Sequence, residues 1–161
     1  MSSILHSGPT VADNAALAWR KSLMQACARA DDADFENALA AMNISPQARD
    51  VRAPQTGLIM LRGRTGATGN AFNAGEATMT RAVVQLECGH VGYGFLLGRS
   101  HKRARLAAVF DALGQDEARR DALTSSFVQP VTARWQAERR ISLEQTAATK
   151  VDFFTLVRGE D

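Results

Sequence analysis

The residues able to do chemistry in this chain are mostly arginines, and they stand among glycines. Arg62, Arg64, Arg81 and Arg99 recur through its middle, and Gly63, Gly66 and Gly69 surround the first two. A guanidinium presents a rigid fork of donors that matches a phosphate or a carboxylate. Glycine lets backbone approach a ligand closely or turn with positive φ. The pattern fits anion handling, and it equally fits glycine-rich β hairpins with solvated arginines. Glu76 follows Gly75 and is a candidate base, metal-bound carboxylate or ion-pair partner for Arg81. His90 lies at a glycine-flanked turn, where an imidazole is accessible for proton transfer or phosphate contact. The same place suits a histidine that only hydrogen-bonds the turn.

No standard catalytic motif accompanies these residues. The run Gly63-Arg64-Thr65-Gly66-Ala67-Thr68-Gly69 lacks the Gly-Lys-Ser/Thr end of a phosphate-binding loop and the spacing of a dinucleotide fingerprint. It also joins two expected strands instead of opening a helix. His6, His90 and His101 are far apart, and Cys27 and Cys88 flank nothing, so zinc and haem spacings are missing. No serine sits in a nucleophile elbow.

The chain has 161 residues, which predicts one domain with a real core. Charged residues make up 22% and hydrophobic ones 45%, values that argue against global disorder. The charge is unevenly spread. Residues 1–48 hold three basic and five acidic side chains, residues 49–105 nine and three, and residues 106–161 seven and nine. The central third therefore carries the whole positive excess. Nine of the twelve glycines lie there too, between Gly57 and Gly98. Acidic flanks and the lack of an aromatic ribonucleoprotein motif argue against nucleic-acid binding. No run longer than 12 residues is free of Asp, Glu, Lys and Arg, which excludes a membrane-spanning helix. Residues 1–13 show no basic, apolar leader, and two cysteines make no disulfide framework. A cytoplasmic protein is expected.

The elements that must position these residues run from helices to strands and back to helices. Residues 13–30 place Ala16, Trp19, Leu23 and Cys27 on one helical face, with Asp13 as N-cap. Asp32 is expected to cap a shorter helix that buries Phe35, Leu39 and Met42 and ends at Asn43 and Pro46. Strands are predicted over residues 55–64, 76–88 and 91–97. On the second, Thr78, Ala82, Val84 and Leu86 share a face. On the third, Val91, Tyr93, Phe95 and Leu97 alternate with Gly92 and Gly94, and Tyr93 and Phe95 read as core. The short connections imply an antiparallel meander. Ser100 should cap a helix bearing Leu106, Val109, Phe110 and Leu113, stopped by Gly114. Another helical piece follows from Gln115, and Pro130 suits the first residue of a further helix carrying Val131 and Trp135. Alternation over residues 151–157 fits a fourth strand. The class is α+β, a small antiparallel sheet packed with N- and C-terminal helices.

Residues 52–105 resemble the PhnG subunit of the bacterial carbon–phosphorus lyase system. The resemblance is carried by Arg62-Gly63-Arg64-Thr65-Gly66-Ala67-Thr68-Gly69 and Phe72-Asn73-Ala74-Gly75-Glu76-Ala77-Thr78. Thr80-Arg81, Gly89-His90-Val91-Gly92-Tyr93 and Gly98-Arg99 follow in the same order. The ending Val151-Asp152-Phe153-Phe154-Thr155-Leu156-Val157-Arg158-Gly159-Glu160 resembles that family's ending. The pieces are weak singly and specific as an ordered set, and they imply a single PhnG-like domain over residues 1–161.

The resemblance implies a role in phosphonate use, alongside PhnH, PhnI, PhnJ and PhnL. In that system PhnG, PhnH, PhnI and PhnL displace adenine from MgATP with an alkylphosphonate, giving α-D-ribose 1-alkylphosphonate 5-triphosphate. PhnI resembles a nucleosidase, and PhnJ carries a later radical, iron–sulfur step for which this chain has no cysteine cluster. The expectation is a transferase subunit, inactive alone, that binds no cofactor of its own and sees MgATP as substrate of the complex. Arg62, Arg64, Arg81, Arg99 and Glu76 become candidate substrate-binding residues and His90 a candidate general acid. Two other readings stand beside it: a scaffold that only holds PhnI or PhnJ, and a free-standing anion- or nucleotide-binding module. Either subunit reading predicts exposed apolar surface, self-association when isolated, and a partner covering Trp19 or Trp135.

Overall fold

The computed structural model describes residues 11–148, residue 67 excepted. Two helices come first, α1 (Val11–Arg29) and α2 (Asp32–Ala41). Three strands follow, β1 (Ala48–Arg64), β2 (Ala71–Leu86) and β3 (Val91–Leu97), paired antiparallel in the order β1-β2-β3. Helix α3 (His101–Leu113) returns across the sheet, and α4 (Glu117–Leu123) runs through a π-helical turn (Thr124–Val128) into α5 (Gln129–Ala148). The expected α+β class and meander are therefore present. The strand expected over residues 151–157 lies outside the described residues.

Local chemistry explains where each boundary departs from the sequence reading. Helix α1 begins at Val11, so Asp13, expected at the cap position, lies within its first turn. Asp31, not Asp32, caps α2. Its Oδ1 accepts the Asp34 N–H at 2.9 Å, while Asp34 Oδ2 accepts the Asp31 N–H at 2.8 Å, a reciprocal capping box. Asn43, at φ 51°, turns the chain out of the helix. Strand β1 starts at Ala48, well before residue 55. Pro54 reads as a strand breaker, but it falls where the β1–β2 register shifts between Arg52 and Gln55. A bulge on an outer strand needs no ladder donor from proline. Strand β2 likewise starts at Ala71, because Gly75 takes φ +148°, which a side chain rarely permits, and carries the chain through a second irregularity.

Pro130 does not open a new helix. It lies inside the α4–α5 rod, just after the π turn, where the Gln129 N–H reaches Thr124 O. A proline ring clashes with the carbonyl four residues earlier, and the widened turn accommodates it.

One face of the sheet is covered. Ala82, Val84 and Leu86 of β2 are buried against α3 as expected, and so are Val109, Phe110 and Leu113 from the helix itself; Thr80 is buried with them, while Thr78 is only half-buried. Strand β3 reverses expectation. Gly92, Gly94 and Leu96 face α3, and Tyr93, Phe95 and Leu97 stand on the open face, 45%, 54% and 67% exposed. The cause is close approach: a Cβ on Gly92 would lie 2.0 Å from Ala108 O, and one on Gly94 2.0 Å from Ala104 O. The helix rests on strand backbone, so the large side chains must point away. Behind α3, Phe35, Phe110 and Phe127 form an aromatic cluster with centroids 4.5–5.0 Å apart.

Both tryptophans are used within the chain. Trp19 is half-buried and donates from Nε1 to Thr124 Oγ1 at 3.0 Å. Gly114 ends α3 in an ordinary helical conformation; its bareness serves Trp19, whose ring would meet a Cβ there at 2.5 Å. Trp135 is half-buried beneath the guanidinium of Arg29, 3.8 Å from the ring centre. The exposed apolar surface lies elsewhere.

Candidate functional site

Strand β3 ends at Leu97, opposite Met79, while β1 and β2 continue past that point as a two-stranded arm. All the arm's described residues beyond Thr78 and Ile59 are exposed except Gly63, Gly69 and Ala77, which are half-buried. Leu58 and Met60 stand on one side of β1, 65% and 51% exposed. Phe72 lies over Gly63, its Cζ 3.3 Å from where a Cβ would be. An apolar two-stranded ribbon with nothing against it is marginal in water.

The arm carries several of the sequence candidates. Arg62 lies opposite Asn73 and Arg64 opposite Ala71. Arg64 Nη1 donates to Gly69 O across the loop at 3.4 Å. Glu76 lies opposite Met60, exposed. It cannot pair with Arg81: the two are five positions apart on the strand, about 16 Å, and on opposite faces. The loop glycines have structural uses. Gly66 takes φ +66°, and a Cβ on Gly69 would sit 2.1 Å from Thr65 O.

Arg81 and Arg99 occupy the root of the arm. Arg81 is exposed on the open sheet face, between Gln55 on β1 and Phe95 on β3. Arg99 follows Gly98, whose φ of +94° turns the chain toward α3. Among the described residues, no ion pair involves Arg62, Arg64, Arg81, Arg99 or Glu76. No group of three or more His, Cys, Asp or Glu that could hold a metal occurs among them either.

His90 is not brought to this place. It sits at the β2–β3 turn, at the other end of the sheet, roughly 30 Å from Glu76 along β2. Its carbonyl accepts the Leu86 N–H at 3.0 Å, and its Nδ1 is buried without a hydrogen-bond partner. Asp116 stands near it; a hydrogen bond from Arg119 is the main cause holding that carboxyl below its ordinary range, and His90 adds a smaller pull.

A different histidine lies at the root of the arm. His101, the first residue of α3, comes within 3.0 Å of Thr56 Oγ1 through Nε2, and Thr56 pairs across the ladder with Thr80. His101 and Arg81 both line an open groove of about 530 Å³ along residues 54–59 of β1. Composition and spacing gave no sign of it. Thr56 and His101 lie 45 residues apart, and they meet through the β1–β2 register together with the placement of α3.

Fold and arm together define a small α+β domain with one protected sheet face and an unpartnered apolar ribbon, the build of a component of a larger assembly. The match to known proteins is specific. Residues 18–159 match the family model for phosphonate metabolism protein PhnG. The chain is also 50% identical, over 149 residues, to the alpha-D-ribose 1-methylphosphonate 5-triphosphate synthase subunit PhnG of Rhizobium meliloti (strain 1021). That match covers 92% of this chain and 95% of the relative. The chain belongs to the PhnG family.

Proposed function

We propose that this chain is a subunit of an α-D-ribose 1-methylphosphonate 5-triphosphate synthase in phosphonate catabolism. The supporting observation is the 50% identity to a named subunit of that synthase along nearly the whole of both chains. With PhnH, PhnI and PhnL it supports transfer of the ribose 5-triphosphate of MgATP to an alkylphosphonate, with release of adenine. PhnJ acts on the product. The chain is inactive alone, and bond chemistry at the ribose belongs to PhnI.

The part assigned to this chain is electrostatic. MgATP and a phosphonate bring several negative charges together, and fixed cationic donors offset their repulsion. Arg62, Arg64, Arg81 and Arg99 supply such donors at the arm and its root, clear of competing carboxylate partners among the described residues. Co-purification with tagged PhnI, followed by assay of adenine release, tests the assignment. Arg64→Ala or Arg81→Ala should assemble normally and lower release at least about tenfold, roughly 1.4 kcal/mol of transition-state stabilisation. The wide separation of His90 from the arginines favours a second reading, a scaffold that positions PhnI or PhnJ. Full turnover in both arginine variants would establish it.

A further inference from the structure

We propose that the open sheet face binds a nucleotide, with its base stacked on Tyr93 and Phe95 and its phosphate chain held by Arg81 and Arg52. The proposal deepens the electrostatic role above. It rests on that reading only in taking MgATP as the nucleotide bound in the assembled complex.

The strand registers put these four residues on one face. Arg81 lies between Gln55 and Phe95, and the next row of the same face sets Val83 between Arg52 and Tyr93. Neighbouring strands are about 5 Å apart, so Arg81 is one such step from Phe95 and Arg52 two steps from Tyr93. Both rings and both guanidinium side chains belong to exposed residues.

The backbone beneath the rings is fixed. Gly92 and Gly94 rest directly on α3 and leave no room for a Cβ. Between them, the Tyr93 N–H donates to Asp111 Oδ2 at 2.9 Å. Arg20 of α1 grips the same buried carboxylate through two hydrogen bonds of 2.7 Å. Helix α1 is thereby tied beside β3, and its Leu17, Lys21 and Met24 wall a groove of about 460 Å³ along Tyr93 and Phe95. A cleft of that size with mostly apolar walls suits a planar base.

Charge decides what the face takes. The two acidic residues of the strands both lie on the other side. Asp50 pairs with Val84 and binds Arg105 of α3 at 2.7 Å, and Glu76 shares its face with Thr78 and Thr80. Arg49, Arg52 and Arg81 lie on the open side, and no ion pair holds them or Lys21 among the described residues. An apolar protein surface would cover the rings and leave three guanidiniums without anions. A nucleotide presents a flat π face and a chain of negative oxygens together, and aromatic rings and arginines are the groups that bind those two parts.

The face is built within this chain, so the full-length protein tests it. Saturation-transfer NMR with MgATP should mark the base protons more strongly than the ribose protons, and ring currents should shift them upfield saturably. Phe95→Ala should weaken MgATP binding at least about tenfold, the scale of one lost base–aromatic stack. Phe95→Trp should keep the affinity, and Phe95→Leu, equally apolar but without a π face, should not. Arg81→Ala should weaken MgATP and inorganic tripolyphosphate each at least about fivefold and leave adenosine within about twofold. Both positions are exposed, so melting temperatures should stay near the parent's. Binding of neither MgATP nor adenosine overturns the proposal. Tripolyphosphate held as tightly as MgATP overturns it too, since the base then adds nothing, as does Phe95→Leu binding at parental strength. An oligoadenylate held at least about tenfold more tightly than MgATP would overturn it in favour of single-stranded nucleic acid. Failure to co-purify with PhnI would instead sink the subunit assignment and leave the nucleotide site standing.

Discussion

The two ends of the same sheet are built on opposite principles. Where β2 and β3 meet α3, glycine and alanine let helix and strand backbones touch, and Thr80, Ala82 and Val84 are fully enclosed. Beyond Leu97 the ladder loses its third strand and its helix, yet Leu58, Met60 and Phe72 remain apolar. The body is stabilised by its own packing; the arm keeps apolar residues it does not bury. A ribbon of that kind is marginal in water by itself, and covering its apolar side would stabilise it.

The largest effect that separates the two regions is steric. Gly94→Val drives a side chain into the Ala104 carbonyl, 2.0 Å from the first added carbon, and only the helix can move. Overpacking against backbone of this kind should cost more than about 3 kcal/mol, and the melting temperature should fall by roughly 10 °C or the chain fail to fold. Gly57→Val, at the root of the arm with open space around it, should shift melting by no more than about 2 °C. Equal losses at both positions would mean that the arm is packed as tightly as the body.

Assembly should reverse that ranking. The double variant Leu58→Glu, Met60→Glu places two charges on the arm's exposed apolar side. Calorimetry of the isolated chain should show melting within about 2 °C of the parent, since surface changes are worth about 0.5 kcal/mol. Recovery of complex on tagged PhnI should nonetheless fall at least about tenfold. Normal recovery would show that the arm is not an assembly surface.

Turnover offers a finer contrast between the ends of the sheet. Arg81, at the root of the arm, is expected to matter by about tenfold or more. His90→Gln, in contrast, should keep the rate per assembled complex within about twofold, because His90 lies at the turn remote from the arginines. A loss of 10²-fold or greater would restore His90 as a general acid, at the level such groups contribute.

The sequence disclosed most of the body and little of the arm's root. Ser100, Phe110 and the alternation of Ala82, Val84 and Leu86 gave helix and strand from local rules alone. The face of β3 was misread because alternation reports two faces without saying which is buried. Two glycines opposite Tyr93 and Phe95 look empty until α3 is laid on them. The early parts of β1 and β2, before residues 55 and 76, lie beyond the expected strands, since a ladder that runs through irregularities near Pro54 and Gly75 is visible only once two strands are paired. The arginines were legible from type and density, whereas Thr56, Thr80 and His101 depend on register and helix placement together, which no local pattern encodes.

The smallest expected effect is electrostatic and concerns the helical side of the body. Arg134 grips Asp34 through two hydrogen bonds of 2.7 Å. Burial tends to raise the Asp34 carboxyl, but the Arg134 hydrogen bonds and the Asp31 backbone N–H outweigh it, and the net shift is downward. A carboxylate lowered on folding stabilises the native state above its unfolded value, about 3.9. That stability is lost as pH falls through the lower folded value, when the native carboxyl finally takes a proton. Both side chains are partly exposed, so the contribution should lie within the ~0.2–1 kcal/mol of surface pairs. Melting curves of the parent and Arg134→Ala should therefore differ by roughly 1–3 °C at pH 7 and converge on acidification below that range. Salt at 1 M should shrink the gap at pH 7, as screening demands. A gap that persists at low pH would assign Arg134 a packing role against α2, independent of the charge on Asp34.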